Sequence, residues 1–361
     1  MKYEIDFIGV PDADSADAIA FRWIKDDGTI GIGIYDGGTT KYAEALCDLL
    51  NKYYFFGIGK KVNKIIDFVV CSHSDQDHCA GLQLVLQNFN VKKLYLNIPW
   101  NYLQELMTHK KYSQTTEKSL TEELKKTYNY VAELEKIATA NGIPIYPCFQ
   151  GKRIEKSFFV LAPTKEEYIK NIINSKKEVL LKSNYSVKQF SGYPSETQLE
   201  SWYEEKLPDN NETSSENECS VILLGNSVDK NFLLTGDAGI NDLTEAIDYC
   251  YNQCNFDLSK NITLYQLPHH GGGKNICPDV MDLLVGPIQY ENKFTSKIGI
   301  ASAGTKDYHP YKIAVNAFTR RGVSVYVTKG KSIHYTNGGF PERSNYSSSK
   351  KENLYKTVEK L

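Results

Sequence analysis

The sequence predicts an α/β protein in which two β-sheets pack face to face and helices cover their outer sides. Three observations lead there. Strand-like segments occur in both halves of the chain, amphipathic helical segments separate them, and several strand-like segments end in Gly-rich turns. The same periodicities fit a doubly wound α/β sheet, so the pattern by itself leaves both architectures open.

"YEIDFIGV" and "AIAFRWI" alternate as strands, and "GTIGIGIYDGG" reads as a strand running into a Gly-rich turn. A helix follows over "TTKYAEALCDLLNKYY", with Thr39 or Thr40 as N-cap and Tyr42, Leu46, Leu49, Leu50 and Tyr53 on one face. "KIIDFVV" is a buried strand, "AGLQLVLQNF" a helix and "KKLYLNI" a strand. Residues 101–142 are helical. Ser119 and Glu122 have capping-box spacing, and Leu120, Leu124, Val131 and Leu134 form a stripe that ends at Asn141-Gly142.

"IPIYPCF" and "SFFVLAP" resume the strands, and then the rhythm breaks. Residues 164–217 are rich in Lys, Glu, Asn and Ser, which predicts a surface insertion positioned to cover a site or receive a protein partner. "CSVILLG" and "NFLLTGDAG" form a hairpin-like pair, and a helix follows over "DLTEAIDYCYNQC". "ITLYQLPHHGGG" is a strand running into a loop. "KIGIAS", a helix over 310–321 and "VSVYVT" complete the pattern. The expected organisation is one domain over 1–338, with insertions at about 101–142 and 164–217, and a peripheral polar tail over 339–361.

A hydrophobic content of 41% supports a sizeable core, and no apolar run approaches the roughly 20 residues of a membrane span. The acidic, strand-like N-terminus does not read as a signal peptide, so a cytoplasmic protein is expected. The eight cysteines contain no CxxC pair and read as buried free thiols. A net charge of −2 argues against extensive nucleic-acid binding but permits a small phosphodiester or transient contact with a strand.

Five of the seven histidines lie in motifs at the ends of apparent strands. In "CSHSDQDHCAG", His73, Asp75, Asp77 and His78 crowd one short loop. Imidazole with carboxylate suits zinc, manganese or iron. Capping carboxylates would account for Asp75 or Asp77, but not for both flanking histidines. "FLLTGDAG" presents Asp237 at a strand end, where an ordinary turn aspartate is the alternative. "LYQLPHHGGG" places His269 and His270 before three glycines, which let the backbone approach a ligand closely. "ASAGTKDYHP" sets His309 before a proline.

The order HxDxDH, TGD, HHG resembles the metallo-β-lactamase fold superfamily of hydrolases. With Asp75 at the third position and a late SAG…HP, it is similar to the nuclease-like domain of ComEC-type competence proteins. Asp17 in "DADSADAIAFRW", the turn Asp36-Gly37-Gly38, and Asn217 and Ser220 in "NECSVILL" extend the resemblance over about residues 3–335, outside the insertions.

The resemblance implies an αββα sandwich with the site along one edge, holding one or two Zn²⁺ or Mn²⁺ ions. It implies that Asp77, His78 and His269 hold one ion, that Asp237 bridges, and that His73 and Asp75 serve the other. His270 is then expected behind the ligands or against substrate, and Asp36 is expected to orient a ligand histidine. His309 and Lys274 are expected to contact a phosphate or the leaving oxygen, with Asp77 and Asp237 as catalytic carboxylates. Two departures stand out. Many superfamily members carry a further histidine before TGD, and here only His109 lies in that interval. Lys274 follows HHGGG where a serine usually follows HHG.

The implied activity is hydrolysis of a phosphodiester in nucleic acid or a nucleotide. Another ester, thioester or lactone is the alternative within the superfamily. A metal-stabilised, non-catalytic component of a larger system is the alternative outside it.

Overall fold

The computed structural model describes residues 1–55, 64–177, 194–227, 230–291, 293–343 and 347–361. Fourteen of its strands build two seven-stranded sheets. In chain order they are β1 (Tyr3–Phe7), β2 (Ala18–Ile24), β3 (Ile30–Gly37), β4 (Phe68–Val70), β5 (Leu94–Tyr95), β6 (Ile145–Tyr146) and β7 (Arg153–Ile154). There follow β8 (Phe158–Ala162), β9 (Ile222–Gly225), β10 (Asn231–Leu234), β11 (Ile262–Gln266), β12 (Ile298–Ala301), β13 (Ser324–Val327) and β14 (Ile333–Thr336). The first sheet runs β14-β1-β2-β3-β4-β5-β6 and the second β13-β12-β11-β10-β9-β8-β7. In each sheet antiparallel pairings give way to parallel ones, from β3 onward in the first and from β10 onward in the second.

Side-chain alternation explains the stacking. Ile5, Phe7, Phe21 and Phe68 of the first sheet meet Phe158, Leu223, Phe232 and Leu264 of the second in one apolar layer. Ala18, Ala20 and Ile34 face the opposite way, towards Tyr42, Leu46 and Leu82 of the first sheet's helices. Leu233 and Tyr265 likewise face Leu243, Ile247 and Phe318 of the second sheet's helices. This is the αββα sandwich, and it decides against a single doubly wound sheet.

Local differences from the sequence reading have physical causes. The helix Thr40–Leu49 continues as a π-helical turn over Leu50–Tyr54. That wider turn rotates the stripe by one residue, so Tyr54 rather than Tyr53 is buried and donates to Asp6 (2.8 Å). The capping box expected at Ser119 is displaced. Thr116 is the N-cap of Glu117–Thr127 and accepts from the Ser119 amide (3.2 Å). In the insertion 164–217, Lys165–Asn174 is a helix and Trp202 and Leu207 are buried, while 178–193 lies outside the described residues. The segment 101–142 resolves into several helices that pack into the first sheet's core.

The stretch after Gly338, expected to be peripheral, is part of the sandwich. Thr357–Glu359 pairs with Thr197–Leu199, and Val358 is buried. Arg343 reaches the helix-facing side of the first sheet, where Glu4 and Asp6 are fully buried. It donates to Asp6 (2.8 Å) and to Glu4, which also accepts from Arg22 (2.7 Å). Burial alone would raise the Asp6 carboxyl. The His334 hydrogen bond and the His334 and Arg343 charges outweigh it and hold Asp6 below its ordinary value.

Removing Arg343 leaves buried carboxylates short of a counter-charge. Arg343→Ala is expected to cost about 3–5 kcal/mol in urea unfolding. Because Asp6 is depressed in the folded state, its contribution is complete above the unfolded carboxyl value of about 4 and is lost as pH falls below it. The gap between wild type and Arg343→Ala should therefore narrow in acid, which unfolding curves at descending pH will show.

Candidate metal centre

The site forms where strands of both sheets end. β4 leads into the loop carrying His73 and Asp75, and the four-residue helix Gln76–Cys79 carries Asp77 and His78. β10 ends at Thr235-Gly236-Asp237, and β11 runs into His269 and His270. Carboxyl ends of parallel strands are where open α/β sheets expose side chains and backbone for function. Gly37 and Gly81 let the Asp36 turn seat against this helix. A Cβ on Gly81 would lie 2.1 Å from the Gly37 carbonyl, and the Gly81 amide donates to Gly38 (2.7 Å).

Asp237, only 3% exposed, is the hub. Its Oδ1 lies 3.0 Å from His78 Nε2 and 4.0 Å from His270 Nε2. Its Oδ2 lies 3.8 Å from His73 Nε2 and 3.7 Å from His269 Nε2. Asp77 stands 3.4 Å from His270 Nε2, and Asp75 stands 3.8 Å from His73 Nε2. The side chains thus divide into two groups, one on each oxygen of Asp237. His270, not His269, joins Asp77 and His78. His269 faces the other oxygen with His73.

Behind these atoms a second row holds the rings. Asp36 accepts from the Ser72 amide (2.7 Å) and Ser72 Oγ (2.6 Å), and its Oδ2 contacts His78 Nδ1 at 2.9 Å. His78 Nε2 is thereby aimed at Asp237. His73 Nδ1 rests on Ser72 (3.0 Å) and Ser220 (3.3 Å). His269 Nδ1 lies 3.1 Å from Asn275 Oδ1 and 3.1 Å from Asn217 Nδ2. Asn275 is itself fixed by donating to the Asp237 carbonyl (2.8 Å). Asp17 lies 3.4 Å from His270 Nδ1. Asp17 enters the sequence reading only through the resemblance, and Asn275 has no sequence signal beyond its place after the glycines.

The chemistry of this set fits a divalent cation. His73 Nε2 is buried without a hydrogen-bond partner, and the buried His78 Nε2 and Asp237 Oδ1 have only each other, at 3.0 Å. Asp17, His78, Asp237 and His270 each offer a ligand atom within 4.8 Å of the others. Ligands about 2.1 Å from one ion stand roughly 3–4 Å apart, the spacing seen here. Buried atoms without partners are costly unless something binds them.

The charges reinforce one another. Burial would raise Asp237, but the His269, His78 and His270 charges hold it well below its ordinary value. Asp77 is lowered against burial by the His270 hydrogen bond and the charges of His78 and His270. Burial opposes the charge on His78, yet Asp237 and Asp36 hold its pKa well above the ordinary value. His270 is pushed up to about 9 against burial by Asp237, Asp17 and the Asp77 hydrogen bond. Burial is the largest influence on Asp17 and raises it to about 6.

The remaining expected residues fall differently. His309 packs its ring on His269, with centroids 5.4 Å apart, and burial with the neighbouring histidines pushes its pKa down to about 3. Lys274 is exposed on the turn Gly273–Asn275, and no ion pair joins it to the cluster. Among the described residues, the cation that reaches the cluster is Lys177, whose Nζ lies 2.5 Å from Asp75 Oδ1 and 3.2 Å from Ser74 Oγ.

No family model matches the chain, and no curated protein matches its sequence. Among solved structures the chain is similar to AidC, a dizinc quorum-quenching lactonase. The identity is 10% and the TM-score 0.29, over 61% of this chain and 56% of that one. It is also similar to Zn²⁺-bound PqqB from Methylobacterium extorquens, with 9% identity and a TM-score of 0.36 over 92% and 99% of the two chains. A long form of RNase Z from yeast matches at 12% identity and a TM-score of 0.35, over 93% of this chain and 41% of that one. The chain thus spans little more than half of the lactonase and less than half of the RNase Z. The site above rests on its own geometry. Among the described residues, no helix is long and apolar enough to cross a membrane.

Neighbouring carboxylates raise the pKa of both His78 and His270 against burial, so metal uptake is expected to release protons from the two rings. Affinity for Zn²⁺ or Mn²⁺ is expected to rise with pH through the His270 value of about 9. Calorimetry in buffers of different ionisation enthalpy counts the protons released. Asp36→Ala should weaken binding about 10–100-fold, read by competition with a chelating dye.

Proposed function

We propose that the chain is a metal-dependent hydrolase of the metallo-β-lactamase type, acting on a phosphodiester in nucleic acid or a nucleotide. The observation that carries the metal-dependent part is the convergence of four imidazoles, from loops of both sheets, on the two oxygens of the buried Asp237. On this reading His73, Asp75 and His269 would hold one ion on the Oδ2 side of Asp237. Asp77, His78 and His270 would hold another on the Oδ1 side. His269 would then supply the imidazole whose absence before TGD marks this sequence. The phosphodiester reading is supported by the sequence resemblance to the ComEC-type nuclease-like domain.

A divalent ion in such a site lowers the pKa of water and neutralises charge that develops on a phosphate. The protein's own groups do the rest. Asp36 and Asp17 orient His78 and His270 through their Nδ1 atoms. Asp237 keeps the two halves of the site in register. His309, held neutral, offers a ring N–H to a phosphate oxygen rather than a cation. Lys177 supplies a positive charge beside Asp75 and would take the phosphate-contact role expected of Lys274.

The test is hydrolysis of single-stranded DNA, RNA, cyclic nucleotides and a generic phosphodiester with added Mn²⁺ or Zn²⁺, next to lactone and thioester substrates. Asp237→Asn and Asp77→Ala are expected to lower kcat at least about 100-fold, the loss of several kcal/mol of charge stabilisation. Metal-independent behaviour shared by both variants would overturn the hydrolase reading. Turnover of lactones or thioesters alone would overturn the phosphodiester part.

A further inference from the structure

The two sides of Asp237 differ in charge. On the Oδ1 side carboxylates stand against the imidazoles. Asp36 Oδ2 lies 2.9 Å from His78 Nδ1 and Asp17 Oδ2 lies 3.4 Å from His270 Nδ1, and both acids are fully buried. Asp77 adds a third carboxylate, 3.4 Å from His270 Nε2. Among the described residues, no lysine or arginine pairs with any of the three. This side also gathers its donors closely. Asp17, His78, Asp237 and His270 form the one group of three or more ligand atoms within 4.8 Å of each other among the described residues.

On the Oδ2 side the supports are uncharged. His73 Nδ1 meets the hydroxyls of Ser72 (3.0 Å) and Ser220 (3.3 Å), and His269 Nδ1 meets the carboxamides of Asn275 and Asn217, both at 3.1 Å. Asp75 brings a carboxylate, with Oδ2 3.8 Å from His73 Nε2, but its Oδ1 is already paired with Lys177 at 2.5 Å. The ammonium group is held there by Ser74 Oγ (3.2 Å) and by the Tyr128 ring, whose centroid is 5.5 Å away. Lys177 therefore leaves Asp75 Oδ2 free to ligate while cancelling the charge that would attract an ion. Asp75 and His269 are also about a third exposed, where His78 and His270 are buried.

Carboxylates behind ligand histidines raise their basicity, and such partners are worth about 10–100-fold in metal affinity. A fixed ammonium beside a ligand repels an incoming cation. We propose that the two positions fill in order, the Oδ1 side tightly and the Oδ2 side weakly, and that Lys177 sets the gap by holding the charge of Asp75. The inference rests on the two-ion reading above. It makes Lys177 a positioning residue for Asp75, supplied by the insertion 164–217 and not by the motifs that carry the ligands.

Mn²⁺ is the probe, titrated calorimetrically into the metal-free full chain and followed by electron paramagnetic resonance. Two steps are expected, the second at least about tenfold weaker, with the six-line signal of an isolated ion giving way to that of a coupled pair. Lys177→Met should tighten the second step at least about tenfold and leave the first within about twofold. Lys177→Arg keeps the charge and should keep the gap. Asp77→Asn should weaken the first step. Equal steps in wild type, or a second step unchanged in Lys177→Met, would overturn the proposal and leave the two-ion reading standing. A single ion in both wild type and Lys177→Met, or no Mn²⁺ bound at all, would overturn that reading and the proposal with it.

Discussion

A buried carboxylate stays ionised only if its surroundings replace the water it has lost. Asp237 meets that constraint with four imidazoles, and the rest of the site follows from it. Two of those imidazoles come from the loop after β4, in the first sheet, and two from the loop after β11, in the second. The charge balance at Asp237 is thus also a joint between the layers. Tyr35 reinforces the joint by donating from β3 to the Val221 carbonyl beside β9 (2.6 Å).

The backbone carries strain where it serves this arrangement. Asp36, His269 and His270 all adopt positive φ, at 58°, 50° and 56°. Each such residue costs of order 1–3 kcal/mol unless its neighbours over-determine it. Here they do. Asp36 is held by Ser72 and His78, and the His269 amide donates to the Gly236 carbonyl (3.0 Å). Gly271 follows at φ 88°, and a Cβ there would meet Pro310 at 2.4 Å, so the His309-Pro310 segment can close over the pair.

The sandwich and the site were legible to different depths. Alternation in "YEIDF" and "AIAFRW" announces strands, because one face meets the other sheet and the opposite face meets helices. The candidate metal loop was legible because two histidines and two aspartates within six residues have few other uses. Three things were not. Which of His269 and His270 faces which oxygen depends on two consecutive positive-φ residues, and no side-chain pattern encodes those. Lys177 reaches Asp75 from about a hundred residues away, inside a stretch with no periodicity. Arg343 sits in a segment whose polarity reads as solvent-exposed, although its partners are the buried acids of β1. In each case a long-range contact decides, and local sequence carries no record of it.

The return of β14 to the first sheet has a consequence for how this chain can be divided. β1 to β6 are nearly consecutive, yet β1 is flanked on one side by a strand some 330 residues later. Asn337 also accepts from the Tyr3 amide (2.6 Å), and Ser227 binds the Met1 carbonyl (2.7 Å). The two sheets are therefore not two modules joined end to end. A cut between β6 and β7, the apparent seam, would strip the first half of its edge strand and leave the acids of β1 without Arg343. A break inside an exposed surface connection would keep every strand with its neighbours. Each sheet's integrity thus depends on segments from far apart in the chain, so the position of a cut matters more than the length of the pieces it leaves.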